Sequence, residues 1–242
     1  MVEYARESSH TDGAGIQAAE SVAKGESGLG FELLYSPVRT LATWLPASTQ
    51  ILADAPALQS YINSRLLYFL GLKEEHEILS GTGVGVELSG LITNATAFNT
   101  AVVNTTTDTY IDVLGLAISQ CAESLFQPDG IVVNPKDWSR IQRIKTTSTN
   151  EYIFSDPHSA AGNQLWGLSV LPSWSMPESQ FLVGAFSMAC ALWDRQQATV
   201  EVSREHSDYF VRNMCAILAE SRLALTIFRP DALIFGGFPF GS

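Results

Sequence analysis

Three polar residues, Asn213, Glu220 and Arg222, interrupt an otherwise apolar run between Tyr209 and Phe228. Glu220 supplies a carboxylate that can accept a proton, and Asn213 supplies a carboxamide. Plain roles compete with chemistry: Glu220 beside Arg222 fits an ion pair on an exposed face, and an asparagine at a strand end fits a turn. Asn213 and Glu220 lie seven residues apart, an odd separation that puts them on opposite faces of a regular strand. The run around them reads as the second of two long strands. The first, Ala198 to Ser203, alternates, with Val200 and Val202 on one face and Thr199, Glu201 and Ser203 on the other. The charged link SREHSD joins them as a turn. Such a ribbon exceeds the usual ~5–6 residues of a strand and suggests a structure that reaches toward other molecules.

Other reactive residue types carry weaker signals. Gly81-Thr-Gly83-Val-Gly85 mimics a nucleotide loop, yet it follows a helical pattern rather than a strand. A turn is the expectation there. Glu74, Glu75, His76 and Glu77 are consecutive, so on a helix they point around the axis and cannot converge on a metal; a solvated face is expected. His10, His158 and His206 are isolated. Cys121, Cys190 and Cys215 follow no metal spacing and read as buried thiols in a reducing compartment. No metal site and no cofactor are expected. The sequons at Asn94 and Asn104 read as chance matches.

The elements that must carry these residues follow from pattern. The 242 residues are 46% hydrophobic and 16% charged, with a formal net charge of −11. No basic patch appears, which argues against direct gripping of DNA or RNA. No apolar run reaches the ~18 residues of a membrane span. The first residues, MVEYARESSHTDG, form no apolar signal-peptide segment. Residues 1–36 are rich in glycine and polar residues and predict a long hairpin, with strands near Val2–Arg6 and Gly30–Tyr35. Glu3 to Glu7 reads like mid-strand, which leaves an N-terminal truncation open. Pro37 to Leu52 is extended. Asp54 suits an N-cap, and Ala55, Leu58, Ile62, Leu66, Phe69 and Leu70 follow helical spacing to a stop at Gly81. Further on, Asp108–Leu125 and Pro135–Lys145 predict helices, the second capped by Asn134. Gly130–Val133, Gly167–Leu171, Gln180–Gly184 and Ala189–Asp194 predict short strands, and turns fall near Pro157 and over Pro172–Pro177.

Five of these stretches also carry a resemblance. PVRTLATWLPASTQILADAPALQSYINSRLLYFLGLKEEHEILSGTG, GIVVNPKDW, YIFSDP, LWGLSV and WDRQQATVEVSREHSDYFVRNM occur in that order. Together they resemble the major capsid protein of tailed phages with the Hong Kong 97 fold, over nearly the whole chain. The resemblance implies an α+β capsid fold. Residues 1–36 would be the E-loop, 37–80 and 193–223 the peripheral domain with its spine helix and β-ribbon, and 81–192 with 224–242 the axial domain.

The resemblance also implies a function and a chemistry. The chain would be a virion shell subunit, made in the bacterial cytoplasm. It would assemble with itself into pentamers and hexamers and enclose double-stranded DNA without sequence-specific contact. A portal, a scaffold and a maturation protease would be its other partners, and no membrane is involved. In the crosslinking branch of the family a lysine and an asparagine of different subunits form an isopeptide bond, promoted by a glutamate of a third. The lysine falls on Lys24, the asparagine on Asn213 and the glutamate on Glu220. Gly25 stands where relatives often have proline, and Ser221 replaces a second acidic residue. The chemistry is coherent: burial would favour loss of the Lys24 proton, a carboxylate would take it, and a fixed shell would supply proximity. A non-crosslinking or truncated prophage remnant is the alternative. A soluble hydrolase using Cys121 or Cys190 with His158 is the reading from another class, and no G-x-S-x-G signature supports it.

Overall fold

Strand pairing and one long helix organise the chain. The computed structural model describes residues 1–16, 24–50, 56–106, 108–146, 152 and 163–239. Strands β1 (Val2–Thr11) and β2 (Gly28–Ser36) form an antiparallel hairpin sheet of their own. Strand β3 (Arg39–Ser48) leads to helix α1 (Pro56–Ser80), whose 25 residues span roughly 38 Å. Short α2 (Leu91–Asn94) and β4 (Thr96–Ala97) precede α3 (Tyr110–Glu123). Then come β5 (Gly130–Val133), α4 (Pro135–Gln142), β6 (Gln164–Leu165), β7 (Leu168–Pro172), β8 (Gln180–Gly184) and α5 (Phe186–Ala189). The long pair β9 (Cys190–Ser203) and β10 (Met214–Ile227) follows, and β11 (Leu233–Gly237) closes the described fold.

Two larger sheets result. One is antiparallel, in the order β3-β10-β9; the other is mixed, in the order β4-β11-β8-β5-β7-β6. In β10, Cys215, Ile217, Ala219 and Ser221 are buried while the residues between them are less so. That period of two turns one face toward α1, where Leu66 and Leu70 pack on Cys215, Ile217 and Ala219. From Leu223 to Ile227 every residue is buried, because this half of β10 enters a core that includes Leu182 and Leu233 of the mixed sheet. Helix α3 covers the mixed sheet with Val113, Leu114, Ala117 and Cys121 against Ile131, Val133, Phe181 and Val183.

Local hydrogen bonds moved several boundaries away from the sequence expectation. The second long strand begins at Met214, not Tyr209. Residues 209–213 form a turn in which Met214 N–H donates to the Tyr209 carbonyl at 3.0 Å, Arg212 pairs with Asp208 at 2.7 Å, and Asn213 adopts φ +53°. The first long strand is longer than Ala198–Ser203, since its pairing with β10 continues past a bulge back to Cys190 and absorbs the expected Ala189–Asp194 strand. Helix α3 starts at Tyr110 because Thr109 and Asp112 form a capping box, with Thr109 N–H donating to Asp112 at 2.8 Å. Helix α4 is capped by Asn134 as expected and ends at Gln142, earlier than Lys145. Glu77 is not on a solvated face: it is buried, accepts from Leu88 N–H at 3.1 Å and pairs with Lys73 at 2.7 Å. The Gly81–Gly85 stretch is a turn closed by a Thr82–Ser89 bridge, with Gly83 and Gly85 at positive φ. The expected cap Asp54 and the turn near Pro157 lie outside the described residues.

Truncating a buried leucine leaves a cavity that α1 cannot fill. Leu70→Ala is expected to cost about 2–5 kcal/mol of folding stability, read as a lower urea midpoint with an unchanged slope.

Candidate functional site

The face of β10 turned away from α1 carries Leu218, Glu220 and Arg222. Strand register sets Glu220 between Ala42 of β3 and Thr199 of β9. On the β9 side the pairing slips: Glu220 faces Thr199, while Arg222 faces Gln196. This bulge brings Gln196 round to the Glu220 face in place of Gln197. Gln196, Thr199, Glu201, Leu218 and Glu220 together line a recess of about 120 Å³. Glu220 is half-buried, and among the described residues it has no hydrogen bond and no ion pair, Arg222 included.

Asn213 lies beyond the start of β10, in the turn. Its left-handed backbone is one that asparagine tolerates better than most residues. Its carbonyl accepts from Thr49 N–H at 2.9 Å, which ties the turn to the end of β3. The residue is exposed, and among the described residues its carboxamide is unpartnered. The same turn exposes Phe210 and Val211, and sets the His206 ring tilted against Trp44 at 5.4 Å and edge-on to Tyr209 at 5.0 Å.

Lys24 is exposed in the loop joining β1 and β2. Its neighbour Gly25 runs so close to Gly13 that a Cβ would stand 2.0 Å from the Gly13 carbonyl oxygen, which explains a glycine here. The hairpin is rooted at the far end of β10. Ser36 donates to the Leu225 carbonyl at 2.7 Å, Tyr4 meets Phe228 edge-on at 5.5 Å, and Arg229 pairs with Glu7 at 2.6 Å. Higher up, Leu29 and Ser9 still border a cleft with Arg229, Pro230 and Asp231. The 14 residues of β10 set Asn213 roughly 45 Å from that end. Five residues from Leu29 back to Lys24 reach at most about 18 Å. Lys24 and Asn213 of one chain therefore stay apart, and only a second chain can bring them together.

The hairpin also shows what it lacks. Leu29, Phe31, Leu33 and Tyr35 alternate along β2 on one face, and each is more than half exposed. A two-stranded ribbon is marginal alone, and a contiguous apolar stripe marks an interaction surface. The sequence placed a strand near Gly30–Tyr35 but did not single out this stripe. Gln196, Thr199 and Glu201 were not singled out, because their meeting with Glu220 depends on register and on the bulge.

The cysteines offer no nucleophile. Burial pushes the thiols of Cys121 and Cys190 up, away from the reactive thiolate, and both Sγ atoms lie against carbonyl oxygens. His158 lies outside the described residues. Asp129 would be pushed up by burial, but N–H groups of Phe186 at 2.8 Å and Ser187 at 2.9 Å bind its carboxylate and hold it low. Glu74 is pushed up by burial and by nearby Asp194. An acid raised on folding weakens the fold once it ionises and ceases to do so below its unfolded value, about 4.5. Glu74→Gln is therefore expected to raise the urea midpoint at pH 7 and leave it unchanged near pH 3.5.

Comparison with known proteins gives this arrangement its class. The chain matches the phage capsid family over residues 1–238. It is 47% identical to the major capsid protein of Enterobacteria phage HK97 over 241 residues, which covers 100% of this chain and 62% of that protein. Its fold matches a solved chain from Mycobacterium phage Adephagia with a TM-score of 0.75 at 11% identity, covering 100% of this chain and 86% of that one. The capsid of an empty GTA particle matches with a TM-score of 0.74 at 17% identity, covering 98% and 84%. The chain belongs to the phage capsid family. Its α+β fold is that of these solved chains, and the chain spans 62% of the length of the HK97 relative.

Proposed function

We propose that this protein is the major head subunit of a tailed phage or prophage and that it assembles with itself into pentamers and hexamers of an icosahedral shell around double-stranded DNA. In this reading residues 1–36 are the E-loop, 37–80 with 193–223 the peripheral domain, and 81–192 with 224–242 the axial domain. A portal, a scaffold and a maturation protease act on the same particle. The observation that carries the reading is the exposed stripe Leu29, Phe31, Leu33 and Tyr35 on a hairpin that forms a sheet of its own. Each such side chain contributes about 1.5–3 kcal/mol when fully buried, so a second copy laid beneath the hairpin gains a large contact.

The reading extends to crosslinking. Lys24 of one subunit attacks Asn213 of a second, and Glu220 of a third takes the lysine proton. Support comes from reach and from missing partners. Lys24 cannot reach Asn213 of its own chain, and the carboxylate of Glu220 and the carboxamide of Asn213 are both unpartnered among the described residues. Asn213 and Glu220 of one chain are roughly 23 Å apart along the strand, so they serve different bonds.

Two experiments test the two levels. Electron microscopy of the expressed protein is expected to show closed particles. Phe31→Ser, which leaves the core untouched, is expected to raise the concentration needed for assembly about tenfold. A wild-type protein that stays monomeric at high concentration sinks the shell reading. Denaturing gels of assembled particles are expected to show a ladder of covalent multimers that is absent in Lys24→Ala, Asn213→Ala and Glu220→Ala. A single monomer band from wild-type particles leaves a non-crosslinking shell.

A further inference from the structure

Glu220 shares its recess with a second carboxylate. Glu201 faces Leu218 across the β9–β10 pairing, next to the Thr199–Glu220 pair, and side chains of opposed residues share a face. The two carboxylates are diagonal neighbours, a placement that sets Cβ atoms about 7–8 Å apart, and both line the same recess. Among the described residues neither has a hydrogen bond or an ion pair. Arg222, on the same face, pairs with neither. The bulge sets a neutral carboxamide, Gln196, across from it. Two like charges that open into one small recess repel each other, and one cation between them relieves both. The geometry calls for a cation that arrives from outside this chain.

We propose that Glu201 receives the ammonium of Lys24 from a second copy and holds it against Glu220. The proposal rests on the crosslinking reading above and adds to it a substrate-binding residue that selects lysine. The step balances as follows. Glu220 takes one proton from the Lys24 ammonium. The Lys24 Nζ forms a bond to the side-chain carbonyl carbon of Asn213, and the bond from that carbon to the asparagine side-chain nitrogen breaks. As that bond forms the Nζ gives up a second proton; the departing nitrogen takes up this proton and the one held by Glu220 and leaves as ammonium, and nothing is oxidised or reduced. Glu201 stays ionised throughout. Its charge favours a cation in the recess both before the step, as lysine, and after it, as ammonium.

The test is the time course of the covalent ladder in particles of wild-type, Glu201→Gln and Glu201→Asp protein, at low and high salt. Glu201→Gln is expected to assemble normally, to slow ladder formation about tenfold at low salt and to flatten its salt dependence. Glu201→Asp keeps the charge and is expected to restore most of the rate, which a merely structural role for the longer side chain would not allow. Wild-type laddering with an unchanged rate in assembled Glu201→Gln overturns this proposal and spares crosslinking. Wild-type particles without a ladder overturn both. If Glu201→Gln does not assemble, the wild-type time course still decides, because a rate indifferent to salt overturns the proposal.

Discussion

Strand β10 is bonded on both edges and buried on one face for half its length, then on both faces for the rest. That change of burial along one strand is what the other elements depend on. Where one face is buried, α1 seats on Cys215, Ile217 and Ala219, and the other face stays open with Leu218, Glu220 and Arg222. Where both faces are buried, Leu225 and Ile227 enter the core that joins the ribbon to the mixed sheet. The hairpin is fixed to that deep end through Ser36, Tyr4 and Glu7.

Several groups of a single copy are left without partners among the described residues. A single copy leaves an apolar stripe uncovered on β2, two carboxylates unpartnered beside β9, and a carboxamide exposed in a tight turn. None of these is a defect of folding, because each lies where the core no longer reaches. Distance keeps Lys24 and Asn213 of one chain apart: the strand between the two ends is longer than the loop can span.

The sequence was informative wherever structure is periodic and local. Helix α1 follows the spacing of Ile62, Leu66 and Leu70 up to Gly81, and the hairpin strands were visible though shorter than they are. It misled where polar residues compete for backbone. The turn at 209–213 looked like strand because Tyr209, Phe210 and Val211 are strand-forming, yet the Asp208–Arg212 pair and the Tyr209–Met214 hydrogen bond hold it bent. Glu77 looked solvated because its neighbours are charged; it is buried because Leu88 N–H needs an acceptor and Lys73 lies one turn away.

By itself the sequence determined the hairpin of residues 1–36, the long helix and the residue types Lys24, Asn213 and Glu220, since these depend only on side-chain identity and local period. Only tertiary structure decided which side chains share a recess. A bulge displaces the register of β9 against β10 and brings Gln196, rather than Gln197, beside Glu220 and Glu201. A one-residue slip turns side chains to the opposite face, and pairing between strands is an energy shared by two segments that neither records alone.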